Sequence, residues 1–232
     1  MNCFSDKFWV FIVVFLAIVE TLRILWSKAP VGTKTILVGA HQFLLHPIYL
    51  ACAWTELYGF PNDLRLWVAF FVHDLGYWGL PNMDGPEGEK HVEWAANFMH
   101  RWFDAEERVE LFFGGRCLMY RQASWEWHDF CLYHSRHYAK SHGADPSRLC
   151  FADKLVFKYQ IKWLYLLGVW LSGELKEYLD NAKYGKGQVT NVSASAWYDS
   201  LNVYMQRWVA EHKDGQKDET TVIRHENKNT TN

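Results

Sequence analysis

The stretch LRLWVAFFVHDLG, Leu64 to Gly76, is an apolar helix that ends in a His–Asp pair and a glycine. A helix this apolar is buried on most of its circumference, so it carries an imidazole and a carboxylate towards the interior. Consecutive side chains on a helix diverge by about 100°, and His73 and Asp74 therefore cannot share a face along the helix. At its last turn both can point at an ion lodged between helices. That reading puts the chemistry at a helix end and predicts an all-α fold.

Working outward, PNMDGPEGE (81–89) is a turn-rich loop whose Pro86, Glu87, Gly88 and Glu89 can start the next helix. HVEWAANFMHRWF (91–103) continues that helix with apolar residues spaced near 3.6. AEERVELFF (105–113) reads as a further helix stopped by Gly114 and Gly115, and SWEWHDFCLYHSRHYAKSHG (124–143) as one long helical stretch ending at its C-capping glycine. ADPSRLCFADKLVFKYQIKWLYLLGVWL (144–171) opens with a helix-start signal and closes on a run, Trp163 to Leu171, too short to span a bilayer. The expected organisation is an N-terminal apolar helix (1–29), a metal-binding helical domain (30–184), a loop and closing helix (185–211) and a disordered polar tail (212–232).

The N-terminal run FWVFIVVFLAIV (Phe8 to Val19) holds no charge before Glu20. It is short for the roughly 30 Å hydrocarbon core, but extension to Trp26 takes in a Glu20–Arg23 pair three residues apart. With Arg23, Lys28 and Lys34 following, it predicts a transmembrane helix anchoring a cytoplasmic domain to a membrane.

The chain has 232 residues, 50% hydrophobic and 22% charged, which is a globular balance. A net charge of -2 argues against specific nucleic-acid binding. The five cysteines (Cys3, Cys52, Cys117, Cys131, Cys150) are scattered and never spaced CxxC, so neither a disulfide framework nor a cysteine zinc site is supported. No phosphate-binding glycine loop, nucleophile elbow or HExxH motif is present.

Nine of the eleven histidines lie between His41 and His142. Taken in order, His46, His73, Asp74, His91, His134 and Asp153 each fall on a predicted helix or at its end with apolar flanks. Imidazoles and carboxylates together suit divalent ions such as Fe, Mn, Zn or Co. His41 competes with His46, or stands behind it as a supporting group; His137 and His128 compete with His134. His128 lies about 120° round the helix from His134, so the second His–Asp pair, His128–Asp129, is read as coincidence.

This ordered pattern resembles the HD-domain superfamily of metal-dependent phosphohydrolases. The resemblance rests on His46-Pro-Ile-Tyr-Leu-Ala, on Val72-His73-Asp74-Leu75-Gly76 and on Ala152-Asp153-Lys154-Leu155, and covers roughly residues 40–160. It implies an HD-type helical bundle in which His46, His73, Asp74 and Asp153 hold one metal. His91 and His134 are the extra ligands of two-metal members, with Asp74 bridging and the ions activating water for attack on a phosphoester. His137 is the candidate acid or phosphate contact. Arg136 and Lys154, within a stretch from Arg136 to Lys162 with six basic and two acidic residues, are the candidates for binding a small phosphorylated substrate. The same ligand order occurs in HD-fold di-iron oxygenases, and a non-enzymatic helical module is the third reading.

Overall fold

The structure, a computed structural model, describes residues 3–104, 106–113, 116–185 and 193–213. It is helical apart from one two-stranded ribbon. In chain order the elements are α1 (Cys3–Lys28), α2 (Val31–Val38), α3 (His46–Tyr58), α4 (Leu64–Val72), α5 (His91–Phe103), β1 (Glu106–Phe113), β2 (Arg116–Ala123), α6 (Glu126–Leu132), α7 (Arg136–Ser141), α8 (Arg148–Leu155), α9 (Lys162–Ser172), α10 (Glu174–Gly185) and α11 (Ala194–His212). Short 3₁₀ turns follow α4, precede α5 and follow α8.

Local chemistry sets several of these boundaries. Asp63 caps α4 by accepting from the Arg65 backbone N–H at 2.9 Å, Pro47 occupies the first turn of α3, and Ser135 caps α7 through the Tyr138 N–H. The stretch 124–143 is accordingly two helices with a break at Tyr133–Ser135, not one long helix.

The larger core joins α3, α4, α5, α6, α8 and α11. Leu50, Ala53, Trp54, Ala69, Phe70, Val92, Ala95, Ala96, Met99, Cys131, Leu149 and Ala152 are buried within it, and Trp208 of α11 stacks on Phe151 at 5.2 Å. Alanines on four of these helices, Ala53, Ala69, Ala95 and Ala152, are fully buried. A methyl side chain lets helix axes approach closely, and the polar residues at the helix ends are drawn in with them. A smaller core of Ala40, Tyr165, Val169 and Tyr198 seats α9.

The structure makes two further corrections. The helix expected over 105–113 is strand β1, paired antiparallel with β2 from Glu106↔Ala123 to Phe113↔Arg116. Over so short an apolar segment, helix and strand periodicities are not distinguishable. The Gly114-Gly115 dipeptide, read as a helix stop, is equally the signal for a hairpin connection.

The second correction concerns the membrane. No helix among the described residues is long and apolar enough to cross one. This overturns the expected transmembrane helix and the membrane localisation drawn from it, and leaves the expected membrane association without support. The physical reason lies in Glu20 and Arg23, which pair at 2.6 Å on an exposed face of α1 and divide its apolar surface. From Phe8 to Val19 the apolar run rises only about 18 Å, well short of the hydrocarbon core. The far end of α1 is tied to α9 instead, where the Trp26 indole donates to the Leu171 carbonyl at 3.2 Å. The loop expected from residue 185 falls largely on 186–192, outside the described residues. So does the tail from 214 onward, while His212 itself ends α11 and is buried.

One contact fixes how the bundle presents the His–Asp pair. A Cβ on Gly76 would lie 1.9 Å from the His91 carbonyl oxygen, so the turn after α4 meets the start of α5 backbone to backbone. Gly76→Ala is expected to lower stability by about 1–3 kcal/mol, the usual cost of forcing atoms into a filled interior, and to weaken metal uptake. Chemical denaturation and metal titration of the variant check both.

Candidate metal centre

Six side chains from five parts of the chain converge at one end of the bundle. His46 is the first residue of α3, His73 and Asp74 follow the last turn of α4, and His91 is the first residue of α5. His134 sits in the break between α6 and α7, and Asp153 lies within α8. All six are buried, His73 to 1% and none above 6%.

Their donor atoms form two groups. His46, His73, Asp74 and Asp153 make the first, and Asp74, His91 and His134 the second; within each group the ligand atoms lie within 4.8 Å of one another. Asp74 belongs to both. Its Oδ2 lies 2.9 Å from His73 Nε2 and 3.3 Å from His46 Nε2. Its Oδ1 lies 3.5 Å from His134 Nε2 and 3.7 Å from His91 Nε2. Asp153 Oδ1 completes the first group, 3.2 Å from His46 Nε2.

The imidazoles are oriented from behind. His73 Nδ1 faces the Phe70 carbonyl at 3.1 Å, His91 Nδ1 that of Gly88 at 2.7 Å, and His134 Nδ1 that of Cys131 at 2.5 Å. In each case the acceptor is three residues earlier. A ring whose Nδ1–H is spent on a backbone carbonyl presents a bare Nε2 lone pair to the front, the tautomer a metal requires. At the front, His46 Nε2 faces His73 Nε2 at 3.3 Å and His91 Nε2 faces His134 Nε2 at 3.2 Å, while Asp74 Oδ2 meets His73 Nε2 at 2.9 Å. Imidazole nitrogens converging on a shared buried carboxylate fit divalent cations in both groups.

Charge follows the same logic. Burial resists ionisation of Asp74, but His73 and His41, with hydrogen bonds from His134 and His73, hold it well below the usual carboxylate range. Burial likewise opposes a charge on Asp153, yet Lys154 and the imidazoles of His46 and His73 hold it low as well. His91 is pushed well down, by burial and then by His134, and is neutral. Burial also works against a charge on His73, but the Asp74 and Asp153 carboxylates outweigh it and push it up to about 10.

The remaining sequence candidates lie at or beyond the rim. Lys154 Nζ bonds Asp153 Oδ2 at 2.7 Å, with a quarter of its side chain exposed. Arg136 stacks over Trp208 at 4.8 Å and reaches Tyr204 at 3.4 Å, turning towards α11. His137 is half-buried on α7, beside Tyr138, and belongs to neither group. His128 bonds Asp129 at 2.8 Å away from both groups, next to Trp125 and His100.

Two supports escaped the sequence reading. Tyr77 stacks on His91, ring centroids 3.9 Å apart and planes 9° from parallel. Glu89 accepts from Ser135 Oγ at 3.1 Å, joining the turn before His91 to the residue after His134. A tyrosine four residues past a His–Asp pair and a serine after a histidine carry no sequence signal that distinguishes them from ordinary core and cap residues.

These His/Asp clusters in a helical fold are consistent with the HD superfamily and typical of its hydrolases. Comparison with protein-family models, curated proteins and solved structures finds no match.

In the metal-free protein the raised His73 has a definite consequence. Its contribution to stability is fully present below its unfolded value of 6.5 and is lost as pH rises towards about 10. The melting temperature of metal-free protein is expected to fall across that interval. Because a ligand imidazole must be neutral, metal uptake near pH 8 should release about one proton per chain from His73. Calorimetry in buffers of different ionisation enthalpy measures this directly; heats that do not depend on buffer would contradict it.

Proposed function

We propose that this chain is a metal-dependent phosphohydrolase of HD type, cleaving a phosphoester of a nucleotide or other small phosphorylated metabolite. The observation that carries the reading is Asp74, one buried carboxylate whose two oxygens serve two separate groups of histidines. A shared carboxylate suits a two-ion site better than two independent ones. Divalent ions of the Fe, Mn, Zn or Co type would supply an activated water and a clamp on phosphate oxygens when bound there.

The protein's own side chains have distinct roles in this reading. His46, His73 and Asp153 hold one side of Asp74, and His91 and His134 the other. Lys154, already on Asp153 and partly exposed, offers a point charge to phosphate at the rim. Arg136 adds a planar donor nearby. His137, one turn of chain beyond His134, is the group assigned to contact phosphate or hand a proton to the leaving oxygen.

Full-length protein loaded with Mn, Fe, Zn or Co is expected to release phosphate from at least one member of a panel of nucleotides and phosphorylated metabolites. It should hold about two ions per chain. Asp74→Ala is expected to lose both ions and more than about a hundredfold of activity, a loss that even groups supporting a metal ligand can reach. Oxygen consumption without phosphate release would replace the hydrolase with the di-iron oxygenase. A chain that takes up no metal at all would remove both enzymes.

A further inference from the structure

Of the four histidines in the two groups, three have Nδ1 fixed by a carbonyl three residues earlier. His46 does not. Its Nδ1 is buried and has no hydrogen-bond partner among the described residues, although the residue is only 3% exposed. A buried polar nitrogen left unpaired is costly, by about 1–3 kcal/mol, and an imidazole free to flip is a poor metal ligand.

His46 also lines a narrow cavity with His41, His73, Asp74 and a wall of apolar groups including Phe70 and Phe71. It leaves about 10 Å³ for the centre of a water molecule, enough for one. The His41 ring, which also lines it, lies beside His46 with ring centroids 5.7 Å apart and beside Tyr77 at 4.9 Å.

Behind His41 the polar groups form a line. Its Nδ1 lies 3.1 Å from Thr35 Oγ1, and its backbone N–H donates to the same oxygen at 3.2 Å. The Thr35 hydroxyl, fully buried, also favours the charged form of Glu174 against the burial that pushes that carboxyl up. Glu174 is itself fully buried and accepts from the Ala40 N–H at 3.2 Å and the Tyr178 hydroxyl at 2.8 Å. The seat is made for that carboxylate: a Cβ on Gly39 would fall 1.8 Å from its Oε1.

A threonine hydroxyl has one proton to give and two lone pairs. With its proton on Glu174, Thr35 accepts from both the backbone N–H and Nδ1–H of His41. That leaves His41 Nε2 as a bare acceptor at the cavity.

We propose that Glu174, Thr35 and His41 form a positioning relay that acts on His46 through a single water molecule. The water accepts from His46 Nδ1–H and donates to His41 Nε2, so every hydrogen bond runs in one sense from His46 to the Glu174 carboxylate. The relay fixes His46 with Nε2 forward and raises its basicity towards a cation. This rests on the reading of His46 as a metal ligand, and it assigns work to a buried glutamate that the hydrolase reading leaves unused.

The test separates the two groups. In a His134→Ala background only the first group is complete, and Thr35→Val there is expected to weaken Co(II) binding by about 10–100-fold in chelator competition, with a shifted Co(II) absorption spectrum. In an Asp153→Ala background, which leaves the second group, Thr35→Val is expected to change nothing. Thr35→Ser, which keeps the hydroxyl, should restore binding, and Glu174→Gln should weaken it in the first background alone. Nitrogen NMR of the metal-free full chain should show His41 as the Nδ1–H tautomer, lost in Thr35→Val. Equal weakening in both backgrounds, or none in the first, overturns the relay while the metal site stands. A wild-type chain that binds no Co(II) overturns the site and the relay together.

Discussion

A carboxylate in a protein interior must be met by opposite charge or by several hydrogen bonds, because desolvation costs several kcal/mol otherwise. Asp74 is the point in this fold where that requirement is concentrated. It is buried, both its oxygens face imidazole nitrogens, and Oδ2 lies 2.9 Å from His73 Nε2. The five surrounding ligand candidates come from separate parts of the chain, and the packing of α3, α4, α5, α6 and α8 is what holds them at that one residue. In the protein alone, the positive charge the site calls for is carried by His73 and, at its edge, by Lys154.

Helix ends supply the geometry. Interior positions of a helix have their backbone groups paired along the axis, whereas the terminal turns have carbonyls to spare. His73 and His134 fold back onto such carbonyls, and His91 does so on the 3₁₀ turn that leads into α5. Each ring therefore has one nitrogen anchored and the other offered. His46 starts a helix, with only a loop behind it, and this is why its support has to come from elsewhere.

Much of this was legible in the residues. The apolar run into His73–Asp74 announced a buried pair at a helix end, and the resemblance to HD domains carried the expectation that His46, His91, His134 and Asp153 join it. What was not legible depends on contacts between distant segments. The partnering of β1 with β2 overrode a segment whose own periodicity was ambiguous. The Glu20–Arg23 pair, visible in the sequence, was read as tolerable within an anchor, whereas it divides the apolar face of α1. Thr35 and Glu174 stand more than a hundred positions apart and nothing local marks them; only the packing of α2 against α9 and the start of α10 brings them together.

The spread of the six residues along the chain also governs when the site comes into being. His46 and Asp153 lie more than a hundred positions apart, and the hairpin of β1 and β2 intervenes. Closing a loop of that length is entropically costly, and no pair of neighbouring elements contains a full set of donors. An ion therefore has little to hold in the unfolded chain and cannot template collapse. Bound after the helices have docked, it would slow their opening, so that the centre would govern the lifetime of the native fold more than the speed of reaching it.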